Sequence, residues 1–103
     1  MPGDEAEISL ETRVVAAPGR FSSRVAGELV ILDPASGEYF GLDPVGARVW
    51  EILEAPVPVA EIRDALLREF QVEATRCEAD LLELLRELAR HGLVEVLPGK
   101  EAS

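Results

Sequence analysis

Two short apolar runs near the middle of the chain flank a polar turn. The first run, residues 28–32, consists mostly of strand-forming apolar residues, and the second is Glu38–Leu42. Between them lies a segment rich in turn-forming residues, 33–37. Two strand-like runs separated by such a segment predict a β-hairpin.

Weaker strand patterns come before this hairpin. Apolar and polar residues alternate over residues 7–15, which predicts a strand with one solvent-facing side, although a polar N-terminal arm fits the same segment. Residues 21–25 predict a short strand, and Ala26 and Gly27 predict the turn after it.

The period of the apolar residues then changes to that of helices. Asp43 is placed to cap a helix, and Pro44 suits its first position because the missing N–H is not needed there. The prolines at positions 56 and 58 end this first helix, and a second helix is predicted from about Val59 to Phe70.

A third helix is the longest element in the pattern. Thr75 and Glu78 have the spacing of a capping box, and Gly92 is placed to end the helix after His91 in a left-handed conformation. Leu82 stands beside the central stripe and makes the apolar arc wider than one neighbour requires. The stripe consists of Cys77, Leu81, Leu84, Leu85 and Leu88. Residues 93–97 predict a last short strand, and residues 98–103 a polar tail.

Composition limits the partners of the chain. It has 103 residues, about the size of one domain, with 20 acidic and 10 basic residues and a net charge of −10. Affinity for nucleic acid comes largely from Lys and Arg at phosphates, so this charge argues against a nucleic-acid partner. A membrane partner is not expected either, since no apolar run approaches the ~20 residues that span a bilayer. The acidic N-terminus lacks the basic region of a signal peptide, which predicts a cytoplasmic location.

The chemistry-bearing residues predict no enzyme. One cysteine and one histidine leave little for a typical transition-metal site, and we expect no metal and no cofactor. Cys77 falls in the helical stripe and is interpreted as a core residue. His91 is interpreted as a cation at a helix C-terminus. The acids fall mostly on solvent faces, so no catalytic residue is predicted.

Three binding or carrier roles follow from the pattern. A winged-helix DNA-binding regulator is possible from the element order, but its recognition helix would carry an excess of acids. An acyl carrier lacks a serine at the well-marked helix start, where Asp43 and Pro44 stand. The third role is peptide binding by strand addition, since Glu38–Leu42 leads directly into a helix and is a candidate sheet edge.

The chain also resembles the PqqD-like family. The resemblance covers about residues 27–96 and depends on the order and spacing of three pieces. These are the strand 30–33 ending in Leu-Asp, the Gly-Glu-Tyr-Phe-Gly-Leu strand at 37–42 and the Val-Gly-Ala-Arg-Val-Trp helix at 45–50. Members of this family are recognition elements that bind leader peptides of ribosomally made, post-translationally modified peptides (RiPPs).

The resemblance implies an α+β fold, a three-stranded antiparallel sheet followed by three helices in a winged-helix-like shape. It divides the chain into an N-terminal arm or extra strand at 1–20, the PqqD-like recognition domain at 21–97 and the tail at 98–103. In the family, the leader adds as a strand beside the third strand and lies against the third helix. With the helix face chosen from the helical wheel, the predicted peptide site is Glu38, Tyr39, Phe40, Gly41, Leu42, Glu78, Leu82, Leu85 and Arg86.

A free-standing chain of this kind is most similar to the recognition proteins of lasso-peptide biosynthesis. Those proteins deliver the leader to a separate leader peptidase, so the expected partners are a precursor leader peptide and a maturation enzyme. The alternative within the family is a chaperone for a radical enzyme, as in pyrroloquinoline quinone synthesis.

Overall fold

The structure, a computed structural model, describes residues 8–19, 21–34 and 36–97. Three helices lie among these residues: α1 (Pro44–Ile52), α2 (Val59–Glu69) and α3 (Ala74–Arg90). The six strands are β1 (Arg13–Ala16), β2 (Phe21–Val25), β3 (Glu28–Asp33), β4 (Glu38–Leu42), β5 (Val57–Pro58) and β6 (Val94–Leu97). The α+β class is therefore confirmed.

The strands form two antiparallel sheets of three, where one sheet was expected. The first has the order β2-β3-β4 and contains the predicted hairpin, in which Ile31 lies opposite Phe40. The second has the order β5-β1-β6 and joins three segments that are distant in sequence. The winged-helix comparison stays a prediction.

The second sheet explains why the early strand pattern was only partly right. The predicted strand 7–15 is shortened to β1, because Ser9 and Thr12 form a turn with Thr12 N–H donating to the Ser9 carbonyl at 3.1 Å. Its first residue, Glu7, lies outside the described residues. β5 was not predicted, since a two-residue strand that ends in a proline carries no periodic signal. The predicted tail 98–103 also lies outside the described part of the chain.

Turn chemistry fixes the ends of several elements as predicted. Ala26 and Gly27 have φ values of 53° and 88°, both left-handed, as a tight hairpin turn between β2 and β3 requires. Gly92 has a φ of 74°, and Leu93 N–H donates to the Leu88 carbonyl at 2.9 Å, which completes the end of α3.

The start of α3 differs from the prediction. Glu73 is the N-cap, and its carboxylate accepts from the N–H groups of Arg76 and Thr75 at 3.0 and 3.4 Å. The predicted capping box of Thr75 and Glu78 is wrong, because Glu73 already caps this turn and Glu78 turns toward α2 instead.

One core lies between the helices and the two sheets. Its fully buried side chains come from every helix and from both sheets, and include Val14, Ile31, Val49, Ile62, Leu85 and Leu93. Both sheets are thus attached to the same helices, and the position of β4 relative to α3 is set by this shared core.

Candidate functional site

β4 has one unpaired edge. It pairs with β3 over its full length, from Glu38 opposite Asp33 to Leu42 opposite Leu29, and no other described strand pairs with it. An edge strand presents unpaired N–H and C=O groups that another extended chain can pair with. β4 is thus a place where a fourth strand can add to this sheet.

The end of β4 is held by the start of α1. Leu42 is buried, and Asp43 next to it caps the helix by accepting from Gly46 N–H at 2.8 Å. Pro44 is the first helical residue, as predicted. This local arrangement turns the chain from strand to helix, and no later strand of the described residues pairs with the outer edge of β4.

An open groove of about 780 Å³ begins at this end of β4. Its walls come from the start of β3, from β4, the first two turns of α1, the end of α2 and one side of α3. The partly accessible apolar side chains in it are Val45, Phe70, Val72 and Leu84. Beneath them lie the buried residues Leu42, Val49, Leu66 and Leu81. The groove therefore offers an apolar surface beside a strand edge.

The structure brings only part of the predicted site to this groove. Of the β4 residues, Gly41 and Leu42 line it. Phe40 is half-buried and packs against the core, whereas Tyr39 is 71% exposed and Glu38 is exposed. All five remain together on the edge strand.

The four predicted residues on α3 lie outside the groove lining. Glu78 accepts a hydrogen bond from Arg63 of α2 at 2.6 Å, and Leu82, one turn later, is half-buried against the core. Leu85 is fully buried, and Arg86 is exposed. A peptide contact of these four residues stays a prediction from the sequence.

A neighbouring side of α3 faces the groove instead. Its groove-lining residues are Arg76, Cys77, Asp80, Leu81, Glu83, Leu84 and Glu87. Leu84 belonged to the predicted stripe, but the wheel alone does not say which edge of a wide stripe stays uncovered. The recurrence of acidic residues three or four positions apart along this side is the sequence signal that marks it.

Hydrogen bonding and burial shift the pKa of two groups in the groove. Arg90 and then His91 lower the pKa of the Glu87 carboxyl below its ordinary range. Burial raises the pKa of the Cys77 thiol. A thiol that is only 7% exposed and held protonated is a core residue, as predicted, rather than a nucleophile.

Two further observations concern chemistry and membranes. Within residues 8–19, 21–34 and 36–97, no three His, Cys, Asp or Glu side chains are grouped so that they could hold a metal ion. Over the same residues, no helix is both long and apolar enough to cross a bilayer.

Comparison with known proteins identifies a family and several similar structures. The model of the family described as coenzyme PQQ synthesis protein D (PqqD) matches residues 28–94. The structure of TbiB1 in complex with the TbiA(beta) leader peptide is 38% identical, with a TM-score of 0.70, over 79% of this chain and 94% of that chain. Lasso peptide synthetase B1 complexed with the leader peptide is 28% identical, with a TM-score of 0.69, over 82% of this chain and 98% of that chain.

A third structure resembles the chain in fold alone. It is the PqqD truncation of Methylobacterium extorquens PqqCD, described as a functional, stand-alone RiPP recognition element. It is 23% identical, with a TM-score of 0.75, over 92% of this chain and 99% of that chain. No curated protein matches the sequence. The family resemblance drawn from the strand and helix motifs is confirmed.

Proposed function

The chain belongs to the PqqD family, and we propose that it is a recognition protein that binds the leader segment of a ribosomally made precursor peptide. Two of the similar structures, TbiB1 and a lasso peptide synthetase B1, hold leader peptides. By analogy, the ligand of this chain is a leader peptide.

The observation that carries the proposal is the unpaired edge of β4 beside the apolar groove. Among the described strands, the sheet has a second unpaired edge, on β2, but all five β2 residues are exposed and none lines the groove. A peptide added beside β2 would gain backbone hydrogen bonds, with only the exposed side chains of Phe21 and Val25 beside it and no apolar groove. A peptide added beside β4 gains both, so we assign the leader to β4.

Binding then divides between backbone and side chains. Main-chain pairing with residues 38–42 supplies affinity that depends little on sequence, whereas apolar leader residues in the groove supply selectivity. The accessible apolar side chains for those anchors are Val45, Phe70, Val72 and Leu84. A few such anchors in a binding site commonly account for most of the affinity.

We further propose that the chain presents the bound leader to a separate maturation enzyme and catalyses no step itself. The greater identity to TbiB1 and to a lasso peptide synthetase B1 favours lasso-peptide biosynthesis and a leader peptidase as that enzyme. We expect this work to take place in the cytoplasm, where precursors are made.

Titration calorimetry tests the binding step. The ligands are the TbiA(beta) leader and the leader of any short precursor gene beside the gene for this chain, each with a scrambled control. We expect saturable, one-to-one binding of at least one leader and none of its scrambled form. A correctly folded protein that binds none of them contradicts the proposal.

A cleavage assay tests the presentation step. A leader peptidase encoded nearby is given its precursor with and without this chain, at precursor concentrations below saturation. Faster leader removal with the chain present supports presentation. An unchanged rate, with leader binding established, contradicts presentation while leaving recognition intact.

The family match itself favours one alternative pathway. The matching model is that of coenzyme PQQ synthesis protein D, so a role as the peptide chaperone of a radical enzyme in that synthesis is the second candidate. The same titration with the precursor peptide of coenzyme PQQ synthesis in place of the lasso leader separates the two pathways.

A further inference from the structure

The groove beside β4 carries an excess of negative charge. Among the described residues, five carboxylates and one guanidinium line it: Glu28, Asp43, Asp80, Glu83, Glu87 and Arg76. An open groove of one charge sign attracts ligands of the opposite sign and disfavours those of the same sign. The charge therefore bears on which peptides the groove accepts.

Three of the five carboxylates already have partners within the protein. Asp43 caps α1 through Gly46 N–H. Asp80 lies 3.3 Å from Arg76 Nε. Glu87 pairs with Arg90 and lies 3.3 Å from His91 Nε2. Asp80 and Glu87 thus already have a partner of opposite charge, as does Arg76, and Asp43 already accepts a hydrogen bond.

Glu28 and Glu83 are different. Neither has an ion-pair or hydrogen-bond partner for its side chain in the part of the chain that the structure describes, and both are exposed. Glu28 belongs to the sheet and Glu83 to α3, so the two uncompensated charges lie on separate walls of the groove.

The carboxylate of Glu28 lies close to the open edge, beside Gly41 of β4. Glu28 Oε1 lies 3.5 Å from the position that a Cβ on Gly41 would take. The Glu28 carboxylate thus lies over β4, the edge strand with which a bound peptide would pair. A basic side chain of an added strand could reach it without displacing any internal partner.

We propose that the peptide recognised by this groove carries lysine or arginine residues that pair with Glu28 and Glu83, in addition to its apolar anchors. The inference rests on the proposed function, because it concerns the same groove, and adds the charge of the ligand. The two acids then act as specificity determinants that reject neutral or acidic leaders with otherwise suitable apolar residues.

A display selection tests this without knowledge of the native precursor. Random peptides of about ten residues, the upper length of ordinary strands, are selected on the wild-type protein and on E28Q/E83Q. The matched control is E54Q/E95Q, which changes two exposed acids that lie outside the groove and have no side-chain partner among the described residues, and which shifts the net charge equally. We expect Lys and Arg enrichment with the wild type and the control, and loss of that enrichment with E28Q/E83Q.

Calorimetry on the strongest selected peptide then measures how much its basic residues and the two acids, Glu28 and Glu83, contribute together to the affinity. We expect E28Q/E83Q to bind it about three- to tenfold more weakly than the wild type, as two exposed ion pairs predict. Replacing its Lys and Arg by Gln should weaken binding to the wild type similarly and leave binding to E28Q/E83Q nearly unchanged. Far-UV circular dichroism verifies that both variants are folded.

The results of these experiments distinguish a failure of the charge proposal from a failure of peptide recognition. Peptides selected and bound without a preference for basic residues, or a preference that survives in E28Q/E83Q, contradict the charge proposal and leave peptide recognition standing. If the folded wild type selects no peptide and binds no leader, both the function and the inference are contradicted.

Discussion

The ring of Phe40 in β4 lies against the ring of His91 at the end of α3, with centroids 4.8 Å apart and planes tilted by 54°. This contact ties the edge strand directly to the helix that forms the opposite wall of the groove. Neighbouring Tyr39 points away from the core and is 71% exposed. Successive residues of β4 thus point to opposite faces of the sheet: Phe40 packs on the core and Tyr39 faces solvent.

Phe40→Ala should therefore destabilise the protein where Tyr39→Ala does not. We expect the free energy of unfolding to fall by about 2 kcal/mol for Phe40→Ala, because it removes a half-buried aromatic ring and its partner contact. Tyr39→Ala should change it by less than about 0.5 kcal/mol, as for other exposed side chains. Urea denaturation measures both, and equal losses would contradict this division of β4.

The cap of α1 stabilises the strand-to-helix turn at the groove. Asp43→Ala removes the acceptor of Gly46 N–H and should lower the free energy of unfolding by about 1 kcal/mol. Asp43→Asn keeps a capping oxygen and should lose much less. A thermal or urea melt of the pair checks this, and equal destabilisation by both variants would show that charge rather than capping matters there.

Stability should depend on pH through Glu87. The pKa of its carboxyl is lowered in the folded protein, first by Arg90 and then by His91. Its contribution is therefore present above the ordinary glutamate pKa of about 4.3 and is lost as the pH falls through the lower folded value.

Glu87→Gln tests this sign. The variant should be less stable than the wild type near neutral pH and equally stable only below the lowered folded pKa of Glu87, where the wild-type side chain is also protonated. In an Arg90→Gln background the difference near neutral pH should shrink. A difference between wild type and Glu87→Gln that is independent of pH would contradict the assignment.

Leu84 and Leu82 lie on two different sides of α3, one in the groove and one on the face predicted by the helical wheel, so substitutions of them can distinguish the two sides. Leu84 lines the groove and Leu82 does not, yet both are half-buried against the core. Leu84→Asp should weaken leader binding at least about tenfold, since it places a charge among the apolar anchors. Leu82→Asp should cost comparable stability and leave the affinity nearly unchanged. Calorimetry with unfolding curves measures both, and the reverse order of affinities would place the leader on the Leu82 side.

The elements with strong local signals were predictable from the sequence. The hairpin of β3 and β4, the Asp43 cap and the left-handed Gly92 each depend on residues within a few positions of one another. The edge position of β4 followed from the immediate turn into α1.

Features that depend on distant contacts were not predictable in this way. The second sheet pairs Arg13 with both Pro58 and Leu97, and no local pattern specifies such partners. The groove face of α3 depends on where α2 packs. Arg63 of α2 forms an ion pair with Glu78 of α3, and a helical wheel of α3 contains no information on that neighbouring helix.

Amide hydrogen exchange of the leader-bound protein tests the central claim most directly, because a paired edge strand protects backbone N–H groups that were open before. Added leader should slow exchange at residues 38–42 and leave residues 21–25, on the other edge of the same sheet, unchanged. Slower exchange at 21–25 alone, or at neither strand while calorimetry reports binding, would contradict leader capture by the open edge of β4.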